Sequence, residues 1–408
     1  MTLPTNAPLP FAKTRTRPLL LGHQLRVLRN RQKRLKGRVA LVPELDLSAY
    51  RFRAVFDWIE FRVHFTKQTQ ARYVQDVLRR FLDRDSHIAP ADEGLGGVFT
   101  ECRIKVQEPP SMAVVTAIHK ALQDTFGEAS QSRVTGMEIS VDAYPTDPAD
   151  NARATLLGAM QRTIWTDRSI WAATMSRPRS VFAKGKKGVQ RLVRPGRAQE
   201  PDLLGFVPED HLPPAIDGTM YLGAKTDPVM IRLMDKVIDT QHPTTGPVQL
   251  EEGRQRVRIE ATLKDGELGA IGVSDIASLK TLRPSKLQKR YFQFKLPTFS
   301  QDRKVTRGVE ALRNTKQNWR AQVYLRTGVI GLMRMDCATE LYAATQKRSV
   351  TKMVRVLTGK KTAARRRNFA GKRLTPPFVA WEEMNKVVNV ALVSLEKREA
   401  TAWGRYGV

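Results

Sequence analysis

The stretch VFDWIEFRVHF (55–65) alternates apolar and polar side chains, and FTECRIKVQ (99–107) and RVTGMEISVDAY (133–144) repeat the pattern. A period of two sends successive side chains to opposite faces of a strand, so these segments predict a sheet with one face on a core. Helical spacing lies between them. QARYVQDVLRRFLDR (70–84) and SMAVVTAIHKALQDTFG (111–127) place apolar residues three and four apart, the second closing on Gly127 as a helix C-cap does, and DPADNARATLLGAMQRTIW (147–165) predicts another helix. YLGAKTDPVMIRLMDK (221–236) reads as two short strands joined by a Thr-Asp-Pro turn, and RQRVRIEATLK (254–264) as one more strand. The order predicts an α+β domain over 51–300, an antiparallel sheet with helices packed on it. From about 305 the pattern is mostly helical, clearest in VEALRNTKQNWRAQVYLRTG and WEEMNKVVNVALVSLEKRE, and predicts a basic helical C-terminal domain over 301–408.

Charge narrows the partners. The 408 residues carry 69 Lys and Arg against 40 Asp and Glu, a formal net charge of +29, which attracts a polyanion at long range and makes nucleic acid the first expectation. The excess is clustered. Residues 1–50 hold ten Lys or Arg against Glu44 and Asp46 and read as a basic N-terminal arm or helix. Residues 176–199 carry eight positive residues and no acid, with Gly and Pro interrupting any helical period, which predicts a long mobile loop that contacts a strand through Arg177, Arg179, Lys184, Lys186, Lys187 and Arg191. The third cluster, 345–373, includes Arg365, Arg366 and Arg367 on a helical region. No apolar run reaches the roughly 18 residues of a membrane span, and PLLLG (18–22) is too short for a signal peptide, so a soluble, cytoplasmic protein is expected.

Several chemistries are poorly served. Cys102 and Cys337 are too few and too far apart for a disulfide framework or a zinc site of the usual spacing, and both read as core thiols. TGKKT (358–362) lacks the first glycine and preceding strand of a phosphate-binding loop. The six histidines form neither an HxH pair nor an HExxH helix. What stands out is a set of acids inside strands, Asp57, Glu138, Asp142 and Glu260. Carboxylates flanked by apolar residues are costly to bury unless a cation or donor meets them. Glu138 and Asp142 are four apart and face one side of their strand, a display that suits Mg²⁺ or Mn²⁺. Arg256 and Arg258 share a face with Glu260, so a salt-bridge ladder is the competing reading.

GTMYLGAKTDPVMIRLMDKVID (218–239) followed by RVRIEATLK (256–264) resembles the core of rolling-circle replication initiators of plasmids and filamentous phages, relatives of the HUH endonucleases. Those proteins show a Tyr-x-Gly strand, an Arg-x-Tyr-Asp-Lys strand and an Arg-x-Glu strand. Upstream, RVTGMEISVDAY is similar to their Arg-Ile-Asp strand, with Glu138 in the acid's place, and FDWIEF to their opening Asp-Trp strand. The resemblance spans roughly 55–300 in the family's order. It implies an HUH/relaxase-like core, a metal-dependent endonuclease that nicks one strand of origin DNA to start rolling-circle replication, and a host helicase and polymerase as partners. A tyrosine attacks the phosphodiester, leaving a 5′-phosphotyrosine and a free 3′-OH. It further implies Glu138 and Glu260 as metal ligands, Asp142 or His242 completing the set, and Lys236 on the phosphate. The family's nucleophile position holds Met234, whose thioether cannot attack phosphorus. Tyr221 is the nearest substitute, with Tyr144 and Tyr324 behind it. A DNA-binding protein on the same fold that has lost catalysis is the alternative, and an RNA-associated basic protein is a third reading.

Overall fold

The structure is a computed structural model, and it describes residues 3–11, 19–28, 35–148, 150–166, 178–182, 189–192, 212–223, 225–242, 246–300, 309–359 and 378–406. The chain is mixed α and β with open antiparallel sheets, and it divides into two compact units.

The first unit gathers 1–46, 154–220 and 293–382. Its strands are β1 (Asn6–Leu9), β2 (Leu19–Val27), β3 (Arg38–Pro43), β8 (Ile164–Trp165), β16 (Gln293–Ser300) and β17 (Phe378–Ala380). They form a sheet in the order β1-β2-β3-β16-β17, with β8 also paired to β16. The N-terminal segment is therefore not an isolated arm. Leu21, Leu41 and Val42 are buried, and β2 pairs with β3 from His23↔Pro43 to Val27↔Val39, because apolar residues interleave with the basic ones. Arg29, Arg31, Lys33 and Arg34 lie outside the described residues. Within 176–199, β9 (Pro178–Phe182) and β10 (Val189–Leu192) pair as antiparallel strands, where the sequence suggests a loop throughout.

Helix α6 (Val309–Thr358) also belongs to this unit, and it is broken at Gly328, whose φ of 70° and ψ of −171° are not helical. The C-terminal half of α3 (Asp150–Thr163) packs there: a Cβ on Gly328 would lie 2.7 Å from the Cα of Arg162. The buried guanidinium of Arg162 donates from Nε to the carbonyl of Leu325 at 2.8 Å, from Nη1 to Gly158 at 3.1 Å and from Nη2 to Pro8 at 2.7 Å. A cation thus closes the carbonyl end of the first half of α6, where the helix dipole favours positive charge.

The second unit gathers 47–153, 221–292 and 383–408. Its sheet is built on β4 (Tyr50–Gln70), β5 (His87–Pro90), β6 (Val98–Gln107), β7 (Ser130–Pro145), β12 (Val229–Lys236) and β15 (Arg256–Lys264), antiparallel throughout in the order β12-β15-β7-β4-β6-β5, with β11 (Thr219–Leu222) beside β12. A small ribbon, β13 (Ile238–His242) with β14 (Gly246–Gln249), follows β12. The predicted strands all appear, β4 and β7 longer than their alternating segments. One face is apolar, with Ile59, Phe61, Ile104, Val106, Met137, Ile139, Ile259 and Leu233 buried. Helices α1 (Ala71–Leu78) and α2 (Met112–Phe126) pack against β4, and α4 (Gly266–Ala270) against β15 and β7; α5 (Pro284–Tyr291) is held by Glu396, which accepts from the Ser285 N–H at 3.1 Å. The side chain of Ser111 caps α2 by accepting from the Val114 N–H at 3.3 Å. Glu399 of α7 (Glu382–Tyr406) accepts from the Met112 N–H at 2.8 Å, placing a buried carboxylate at the positive end of α2.

The two C-terminal helices do not form a unit of their own. α6 joins the first and α7 the second, apart from Glu382. Sequence periodicity reports that a segment is helical but not which core receives its apolar stripe.

Candidate metal and phosphate site

The second face of the β12-β15-β7-β4 sheet is polar, and it is set by register. Arg258 pairs with Asp142, Glu260 with Ser140 and Thr262 with Glu138 across β15 and β7, so these side chains share a face. Across β12 and β15, Arg232 pairs with Glu260, Met234 with Arg258 and Lys236 with Arg256, which adds Arg232, Met234 and Lys236 to it.

Asp57 joins them through an irregularity. Phe56 pairs with Ile139 and Trp58 with Glu138, so Asp57 is an extra residue on β4 with no opposite number. A strict alternation places Asp57 with Ile59 on the core face, whereas the bulge re-aims it. Oxygens of Asp57, Glu138 and Glu260 come within 4.8 Å of one another. Their side chains retain 12%, 6% and 1% exposure.

Arginines stand among these acids. Nη1 of Arg258 donates to both oxygens of Asp57, at 2.7 and 2.8 Å, while its Nε and Nη2 donate to Asp142 at 2.5 and 2.7 Å. Arg256 adds an ion pair to Asp142 at 3.0 Å. Arg232 binds Glu260 directly and reaches Glu138 at 3.5 Å, and Thr262 donates its hydroxyl to Glu138. Of the sequence-derived ligand set, Glu138 and Glu260 converge. Asp142 does not: two arginines engage it, and Asp57 takes the third place. The signal for Asp57 was its position as a strand acid; the bulge that turns it to the polar face carries no sequence mark. The His242 side chain lies outside the described residues.

The charges do not cancel evenly. Burial drives the Glu260 carboxyl up to about 8, with Glu138 and Asp57 adding to the rise against the pull of Arg232 and Arg258. Burial holds the Lys236 ammonium below its ordinary value, and the neighbouring Arg258 pushes the same way. Burial opposes the charge of Arg232, yet Glu260 and Glu138 outweigh it and hold the guanidinium charged.

Three convergent carboxylates are the donors a hard divalent cation takes. With metal–oxygen distances of about 2.1 Å, opposite ligands of an octahedral Mg²⁺ stand about 4.2 Å apart, close to the 4.8 Å within which these oxygens lie. The donor type and spacing fit the ion, and Arg232 and Arg258 compete with it for the same acids.

Tyr221 on β11 is half-buried, and its phenol acts electrostatically on Arg232. Tyr144 is half-buried as well, donating to Asp142 at 3.4 Å, and burial raises its phenol. Tyr324 belongs to the first unit, is fully buried, and has its phenol raised by burial. Arg179 and Arg191 are on β9 and β10, in the first unit. Arg177, Lys184, Lys186, Lys187, Arg365, Arg366 and Arg367 lie outside the described residues. Cys102 is a buried free thiol, raised to about 12 by burial. Among the described residues no helix is long and apolar enough to cross a membrane.

Comparison with protein-family models and with curated proteins gives no match for this chain.

Proposed function

We propose that the chain is a DNA-binding replication initiator that nicks one strand at an origin through a tyrosine and a divalent metal, on an HUH/relaxase-like core, and so starts rolling-circle replication. The observation that carries this reading is the convergence of Asp57, Glu138 and Glu260 on one sheet face that also carries Lys236. Mg²⁺ or Mn²⁺ held by the three carboxylates would supply polarisation of the phosphoryl oxygens. Tyr221 is the nucleophile: its oxygen bonds to phosphorus, the 3′ oxygen leaves, and the phenol proton ends on that oxygen as a 3′-OH. Lys236, whose charge burial disfavours, holds the arriving phosphate, which offsets that cost. Arg232 and Arg258 orient the acids and can turn to the phosphodiester. The formal charge of +29 draws single-stranded or origin DNA to the protein, and a host helicase and polymerase extend the freed 3′ end.

Met234 at the family's nucleophile position, with arginines already on every acid, favours a second reading, an origin binder or regulator whose catalysis has lapsed. Incubation with supercoiled origin DNA and Mn²⁺ separates the two. A covalent protein–DNA adduct that Tyr221→Phe abolishes supports nicking. Tight binding with no adduct supports the lapsed binder.

A further inference from the structure

Two residues outside the acid cluster stand beside it on the same sheet face. Trp58 pairs in register with Glu138 on one side and Gln107 on the other, and Lys105 pairs with Glu60. The indole lies across β7 at Gly136: a Cβ there would meet its Cζ3 at 2.9 Å and Cη2 at 3.1 Å, so only glycine lets the ring lie this close to the sheet. Nζ of Lys105 stands 3.8 Å from the ring centroid, a cation held over an aromatic face. Trp58 is only half-buried.

Charges of both signs surround the ammonium, the acids acting on it more strongly than the cations. Lys105 shares its electrostatic environment with Lys264 and Arg232 as well as with Glu138 and Glu60. Lys264 pairs with Gly136 itself, so two lysines flank the strand position that the indole covers. Glu60 is also engaged by Thr135, whose hydroxyl donates to it at 2.8 Å. Burial lowers the Lys105 ammonium, a cost that a phosphate in contact would relieve.

We infer that Trp58 and Lys105 form a nucleotide-holding step next to the acid cluster, the indole stacking an unpaired base and the ammonium taking the adjacent phosphate of the strand. The step rests on the functional reading above and adds a positioning site to it. Glycine at 136 sets the height of the shelf. Lys105 moves from the ring face to the phosphate as the base arrives, and Lys264 closes the other side. The ligand class is single-stranded DNA, because a paired base has no free face to offer the indole.

The test is fluorescence anisotropy of a labelled single-stranded oligonucleotide with the full chain, over a salt series, in parallel with the adduct assay. Wild type is compared with Lys105→Ala, Trp58→Leu and Trp58→Phe. Trp58→Leu is expected to weaken binding about tenfold, with Trp58→Phe recovering most of the loss because a π-face is restored. Lys105→Ala is expected to lower the slope of log K against log salt by about 0.7, one phosphate contact on a single strand. Unchanged affinity and slope in Trp58→Leu and Lys105→Ala, with wild type binding and forming adduct, overturn the step and leave nicking standing. An equal loss in Trp58→Leu and Trp58→Phe also overturns stacking. Absence of strand binding by wild type removes the functional reading itself.

Discussion

Arg258 reaches both carboxylate oxygens of Asp57 from a single nitrogen, at 2.7 and 2.8 Å, across two intervening strand pairings and 201 residues of sequence. The same guanidinium gives its remaining donors to Asp142, so one buried side chain, 3% exposed, neutralises acids from β4 and β7. Removing it leaves two carboxylates without their main partner in a dry site. Arg258→Met is expected to cost about 3–5 kcal/mol in urea unfolding, the range for breaking a buried pair from one side. The combined Arg258→Met/Asp142→Asn variant is expected to lose less than the sum of the single changes, since the neutral amide no longer needs the cation.

Glu260 sets the pH response of this site. Its carboxyl titrates near 4.5 when unfolded and at about 8 when folded, so between those values the folded chain holds a proton the unfolded chain has released. Its contribution is full below about 4.5, falls as pH rises by about 1.4 kcal/mol per unit, and is gone above about 8. Glu260→Gln is expected to flatten that slope in urea unfolding measured from pH 5 to 8. A divalent cation competes with the same proton, so Mn²⁺ binding followed by calorimetry in buffers of different ionisation enthalpy is expected to release protons below pH 8.

Much of this arrangement was legible in the residues. Alternation located β4, β6 and β7, and acids placed where apolar neighbours are expected gave Asp57, Glu138, Asp142 and Glu260 as a set, from which the family resemblance singled out Glu138 and Glu260. Two things were not. The bulge at Asp57 costs one residue of register and flips its side chain, and alternation within β4 alone gives no sign of it. The separation of α6 from α7 into different units depends on long-range packing, which local periodicity does not encode.

The first unit carries its own titrating group. His23 is buried, its Nδ1 lies 3.1 Å from the carbonyl of Leu21 and 3.2 Å from that of Thr5, and its ring meets Tyr324 edge-on at 5.6 Å. Burial and the nearby Arg162 bring it down to about 4. Between about 6.5 and about 4 the unfolded chain therefore binds the extra proton, and stability is lost as pH falls through that window. Going from pH 6.5 to 5 is expected to cost about 2 kcal/mol through this group. His23→Phe is expected to show a smaller acid loss in parallel urea melts.

Gly328 offers the sharpest backbone test. Its φ of 70° belongs to a region that L side chains avoid, and an added Cβ would lie 2.7 Å from the Cα and 2.8 Å from the carbonyl oxygen of Arg162. Neither atom is a flexible side-chain tip, so relief requires α6 or α3 to shift. Such a shift would pull the Leu325 carbonyl from Nε of Arg162, a buried cation that has carbonyls as its acceptors here. Backbone strain alone contributes about 1–3 kcal/mol. Gly328→Ala is therefore expected to destabilise the first unit by at least that amount, while Gly359→Ala, at a positive φ of 64° with no heavy atom within 4 Å of its Cβ, pays the strain without the clash and is expected to cost less. Equal losses for the two variants would show that packing against Arg162 does not fix the break in α6.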